Sequence, residues 1–114
     1  MRMWCGVPVQ LLCRKHLLGA HSELHKFKPT FEKKFSIKGR IFPIVQIEPQ
    51  SMKISHDELV EEMIRRGYNH NSPYELPDLS YLSDNQRYAK ANVGYNFADL
   101  FNRCDECKQR YLDL

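Results

Sequence analysis

One stretch of the chain sets a lone carboxylate among groups able to assist it. With residues 9 to 28 read as a helix, His16, Gly19, Ala20, Glu23 and Phe27 fall on one side at about 100° per residue, and Lys26 lies at its edge. Gly19 and Ala20 clear the surface beside Glu23, leaving room for a polymer backbone to approach it. A carboxylate so placed can stabilise a developing positive charge or move a proton. The plainer reading is a surface ion pair of Glu23 with Lys26 or Lys28, contributing roughly a few tenths of a kcal/mol.

Thiols and imidazoles form a second set. Cys104-x-x-Cys107 has the spacing of half a zinc site, and Cys13-x-x-His16 would supply two more ligands one turn apart. Against this, Cys104 and Cys107 continue the apolar series Phe97, Leu100 and Phe101, and unpaired cysteine is among the most buried residue types. Buried core thiols, with no metal and no organic cofactor, are therefore the expectation. His21 and His25 stand four apart, a spacing that can bind metal, but no third ligand follows in sequence and contact with solvent or phosphate is expected. Trp4 is expected to anchor the core.

Three helices must position these groups. Pro8 suits a first turn, and Leu11, Leu12, Leu17, Leu18, Leu24 and Phe27 predict a helix over about 9 to 28. Residues 29 to 54, broken by Pro43 and Pro49, predict extended loop. Ser55 and Glu58 read as a capping box for a second helix stopped by Gly67. After an irregular 68 to 83, a third helix is predicted from about Asn92 nearly to the C-terminus. The fold class is all-α: one compact domain over 1 to 114, with three main helices and long irregular loops.

At 114 residues the chain suffices for one hydrophobic core. No apolar run reaches the ~18 residues that span a membrane, and no signal peptide is evident. A cytoplasmic location is expected, with the four cysteines reduced. The net charge of +3 hides a polarity: residues 1 to 53 hold ten Lys/Arg against three Asp/Glu, and 54 to 114 hold seven against eleven. A basic half with interleaved aromatics suits a polyanion such as nucleic acid. Lys26, Lys28, Lys33, Lys34, Lys38 and Arg40 are the candidate backbone contacts.

The run from His16 to Lys26, His-Leu-Leu-Gly-Ala-His-Ser-Glu-Leu-His-Lys, follows Arg2 near the N-terminus. It resembles the first helix of the pyrimidine-dimer DNA glycosylases typified by T-even phage endonuclease V. Ile64-Arg65-Arg66-Gly67-Tyr68-Asn69 is similar to the end of that family's second helix. The resemblance implies an α-helical enzyme in which the N-terminal α-amine attacks the anomeric carbon of a damaged nucleotide and a first-helix glutamate is essential. Here these are Met1 and Glu23, with Arg2, His16, Lys26 and Arg103 expected to face DNA and Arg2 to lower the amine pKa. Ser22 stands where the family has an arginine, and Met1-Arg2 replaces its Thr-Arg.

The implied function is a glycosylase with abasic-site lyase activity on damaged or modified double-stranded DNA, working as a monomer. A non-catalytic DNA-binding protein that keeps the basic surface is the alternative, and a zinc-stabilised interaction domain is the third reading.

Overall fold

The apolar residues of the first helix meet those of the second across one continuous core. A computed structural model describes residues 2–70 and 72–114 and shows six α-helices and no strand among them. The principal ones are α1 (Arg14–Glu32), α3 (Met52–Arg65), α5 (Val93–Arg103) and α6 (Asp105–Leu112). Two single-turn helices, α2 (Lys38–Ile41) and α4 (Asp84–Arg87), lie in the connections. Leu17 and Leu24 of α1 are fully buried, as are Met52 of α3 and Leu100 of α5. Each such side chain contributes roughly 1.5–3 kcal/mol. The all-α reading of the sequence holds, and the molecule is a slab of 42 × 33 × 17 Å.

The helix boundaries differ from the sequence reading in three places. Residues 9 to 28 are not one helix. Pro8 opens a 3-10 turn over Val9–Leu11, the backbone extends through Leu12 and Cys13, and α1 begins at Arg14. At its far end α1 continues past Pro29 to Glu32, because the proline removes only the bond to the carbonyl one turn back while Phe31, 1% exposed, anchors the final turn. Lys34, with φ 57°, then ends it, and the Phe35 N–H donates to the Thr30 carbonyl at 2.9 Å.

The proposed capping box fails because α3 starts earlier. Pro49 begins a 3-10 turn over Pro49–Ser51 that runs into the buried Met52, so Ser55 and Glu58 lie inside the helix. Its other end is as expected. Gly67 has φ 85°, and the Tyr68 N–H reaches back to the Met63 carbonyl at 2.9 Å. Buried Glu62 holds Arg65 and, at 2.7 Å, Arg66, whose guanidinium also donates to the carbonyls of Val9 and Gln10 at 3.4 Å each. That clamp fixes the Val9–Leu11 turn on α3.

The third predicted helix is two helices. At Cys104 the backbone opens to φ −141°, ψ 104°, ending α5 and starting α6, whose first turn it caps by accepting from the Cys107 N–H. Asn92 caps α5 by accepting from the Tyr95 N–H at 2.9 Å. No helix of the described residues is long and apolar enough to cross a membrane.

Candidate functional site

Glu23 is not the exposed surface carboxylate of a solvated face. Its side chain is 8% exposed, with Arg40 Nη2 at 3.5 Å from Oε1 and Lys26 Nζ at 4.0 Å from Oε2. Arg40 is itself held in place: it stacks over the Phe27 ring at 5.4 Å, its Nη1 donates to Gln46 Oε1 at 3.1 Å, and its carbonyl accepts from the Gln46 N–H at 2.7 Å. The Arg40–Gln46 pairing closes a loop whose tip, Phe42, Pro43 and Ile44, projects into solvent, Phe42 being 72% exposed. Lys26, Lys33, Lys34, Lys38 and Phe35 are exposed on the same part of the chain. The carboxylate thus lies beneath a basic rim with an apolar tip.

The N-terminal arm is built into the core. Met3, Trp4, Cys5 and Val7 are buried, and an open cleft of about 50 Å³ is lined by them together with Ala20 of α1 and Leu59 of α3. Ala20 is one turn before Glu23, so the arm runs along the helix face that bears the carboxylate. The arm is fastened from the opposite side by α5. Arg2 hydrogen-bonds Asp99 and Asn96, and the Asn96 amide donates to the Cys5 carbonyl at 2.9 Å. Met1 lies outside the described residues, so its expected role as nucleophile stands apart from this geometry.

The other expected site residues divide. Lys26 is exposed beside Glu23. Arg103 is exposed on α5 and bonds Asp99 at 3.0 Å, sharing that carboxylate with Arg2. Arg2 points inward, its side chain 13% exposed and its guanidinium over the Trp4 ring at 4.7 Å, so it serves the arm. His16 also turns inward, with Nδ1 3.1 Å from Cys13 Sγ and 3.6 Å from Cys107 Sγ. Trp4 is a core anchor, as expected.

The sequence profile of the pyrimidine dimer DNA glycosylase family matches residues 1–76. The chain belongs to that family. Comparison with curated proteins and with solved structures returned no match. The family is one of DNA glycosylases, which makes DNA the substrate class. The matched segment contains the arm, α1 with Glu23, the Arg40 loop and α3. Asn96 and Asp99, which hold the arm, lie beyond it.

Two features of the site call for comparison with the sequence reading. The first is Arg40, treated there as one of several surface cations; only the fold carries it back to Glu23, 17 positions earlier. The second is the gathering of imidazoles and thiols: the joining of His56 and His70 to His21 and His25 is missed entirely in the sequence, whereas the set of Cys13, His16, Cys104 and Cys107 is weighed there and set aside for core thiols. The ligand-capable atoms of Cys13, His16, Cys104 and Cys107 lie within 4.8 Å of one another, and so do those of His21, His25, His56 and His70. Cys107 is in the core and Cys104 packs against it, as expected of core thiols, but the break at Cys104 divides the predicted helix, and both sulfurs meet the first turn of α1. In the other cluster, burial and then the three neighbouring imidazoles push His21 down to about 4.

Proposed function

We propose that this chain is a glycosylase and abasic-site lyase acting on duplex DNA that carries pyrimidine dimers or another modified base, with the Met1 α-amine as nucleophile and Glu23 as its acid–base partner. The observation that carries the reading is Glu23 itself: a carboxylate sunk into α1, gripped by Arg40, and within the segment matched to the family. The arm leading to Met1 follows the same face of α1.

An α-amine titrates near 7.7 to 8.0, so on the order of a tenth of it is unprotonated at neutral pH. Its lone pair attacks the anomeric carbon, the base departs with the bonding electrons, and the amine gives up a proton. Opening of the sugar ring produces an imine, which acidifies the neighbouring carbon. Loss of that proton forms a carbon–carbon double bond and expels the 3′ phosphate by β-elimination. Water then hydrolyses the imine and restores the amine. Glu23 stabilises the charge that develops as the base leaves, then carries the protons of ring opening and elimination.

Lys26 and the exposed lysines of residues 28 to 38 supply phosphate contacts, and Arg103 extends them onto α5. Arg2 and His16, both turned inward, hold the machinery together instead. Borohydride treatment of the untagged protein with pyrimidine-dimer and abasic duplexes should trap a covalent complex whose cross-linked peptide begins at Met1. Glu23→Gln should bind the same duplexes and no longer cut them. Cutting without any trappable complex, or undiminished cutting by Glu23→Gln, would refute the scheme. Equal, salt-sensitive binding of intact and damaged duplexes without cutting would establish the non-catalytic alternative.

A further inference from the structure

Of the five histidines and four cysteines in the chain, all but Cys5 fall into the two four-residue clusters. In the first, Cys13 and His16 come from the start of α1, while Cys104 and Cys107 come from the junction of α5 and α6, about ninety positions later. A tetrahedral zinc ion with Zn–S of about 2.3 Å and Zn–N of about 2.05 Å would set sulfurs about 3.8 Å apart and a sulfur–nitrogen pair about 3.6 Å apart. Cys13 Sγ to Cys104 Sγ is 3.8 Å, and Cys107 Sγ to His16 Nδ1 is 3.6 Å. None of these cysteines is disulfide-bonded. Two backbone amides point at the sulfurs, Cys13 N–H to Cys107 Sγ at 3.2 Å and Cys107 N–H to Cys104 Sγ at 3.4 Å. Amides so directed stabilise thiolates, the form that binds metal.

We propose that Cys13, His16, Cys104 and Cys107 bind one zinc ion in a closed, structural site that ties the α5–α6 junction to the first turn of α1. All four coordination positions are filled by protein, which leaves none for water or substrate. The site does not depend on the glycosylase reading. Untagged full-length protein, purified under reducing conditions, should carry tightly held zinc by elemental analysis and native mass spectrometry. Replacing that zinc by Co2+ should produce a thiolate-to-cobalt charge-transfer band, which Cys104→Ser weakens and Cys5→Ser leaves intact. Folded protein that takes up no zinc, or a cobalt form without that band, would overturn the assignment.

The second cluster is carried by separate observations. Nε2 of His21 is 3.0 Å from that of His70 and 3.2 Å from that of His25, close to the ~3.3 Å expected between nitrogens of a tetrahedral four-imidazole site. His56 of α3, 2% exposed, brings a ligand-capable nitrogen within 4.8 Å of those of the other three; its Nδ1 contacts Asp57 Oδ1 at 3.1 Å and its Nε2 the Ser72 carbonyl at 3.0 Å, a contact that an ion at Nε2 would replace. A carboxylate on the outer nitrogen is the usual orienting partner of a metal-binding imidazole. His21 and His25 lie on the face of α1 away from Glu23, so this ion would join α1, α3 and the segment after Gly67 without entering the catalytic face.

We infer that His21, His25, His56 and His70 take a second divalent ion of the zinc class. Zn2+ or Co2+ titrations of the full chain should saturate at two equivalents, the second adding no thiolate band. His70→Ala should lose that equivalent while keeping the thiolate band and the helical circular dichroism, and Asp57→Ala should weaken it roughly 10- to 100-fold. Saturation at one equivalent carrying the thiolate band, or an unchanged second equivalent in both His70→Ala and His25→Ala, would refute this site.

Discussion

Gly6 brings the N-terminal arm against Val93 at the start of α5, and the structure sets the cost of adding one methyl group there. Its φ is +84°, and a Cβ built on it would sit 2.4 Å from Val93 Cγ2 and 3.3 Å from Val93 Cβ. The left-handed backbone alone costs an alanine roughly 1–2 kcal/mol. Val93 is 41% exposed, so its side chain can turn away from the intruding carbon, adding about 1 kcal/mol for a poor rotamer. Gly6→Ala should therefore lose roughly 2–3 kcal/mol, which for a domain of this size lowers Tm by about 8–12 °C. Gly67 provides the control, since its φ is +85° and nothing lies within 4 Å of its added Cβ. Gly67→Ala should pay only the backbone cost and lose about 4–8 °C. Calorimetry of Gly6→Ala, Val93→Ala and the double variant should show Val93→Ala recovering the steric part. Equal losses for the two glycines, or no recovery, would mean that the arm does not press on α5 as described. Because the arm leads to Met1, Gly6→Ala should also reduce base excision more than Gly67→Ala does.

Other expectations follow from the basic rim and from Cys5. Phe42, exposed at the tip of the loop closed by Arg40 and Gln46, has the form of an apolar wedge. Phe42→Ala should weaken binding to lesion duplex by on the order of 1–3 kcal/mol, about 5- to 150-fold, in a mobility-shift titration. Lys26→Ala and Lys38→Ala should each lower the slope of log K against log salt by about 0.9 if each contacts one phosphate, and an unchanged slope would remove that lysine from the interface. Burial, then Glu48, push the Cys5 thiol up to about 11. At pH 8 only roughly one Cys5 in a thousand is then thiolate, against about one in ten for a cysteine at the ordinary value of 9.0, so mass mapping should find it slow to alkylate in the folded chain. The sign for stability follows: the neutral thiol is favoured by the fold, so this contribution is complete below pH 9 and lost as pH rises toward 11.

Features legible in the sequence were those fixed by neighbours three or four positions away. The Leu17–Leu24 face, Glu23 on the same helix and the Gly67 stop all follow from local periodicity and backbone preference. Long-range packing decided the rest. Ser55 and Glu58 form a cap by spacing, but burial of Met52 draws the helix start four residues earlier, with Ser51 in the cap position. His21 and His25 looked short of ligands because His56 and His70 are brought in by α3 and the turn after it. The stripe from Phe97 to Tyr111 ignored a break at Cys104 that no proline or glycine announces; the capping contact between Cys104 and Cys107 marks it.

The three clusters share one helix, and this sets how a remote change reaches the carboxylate. Glu23 occupies one face of α1, His21 and His25 the other, and Cys13 and His16 its first turn. The arm beside Glu23 is held by Arg2, Asp99 and Asn96, so it moves with α5, and α5 is bound to α1 through Cys104 and Cys107. Loosening the thiolate cluster should therefore free α5, and with it the arm, before it disturbs α1, whose buried leucines pack against α3 independently. A Cys104→Ser protein that stays helical should keep Glu23 and Arg40 paired and still bind DNA through the basic rim, yet excise bases slowly. Loss of binding in parallel with excision would instead mean that the α5–α6 junction supports the rim itself.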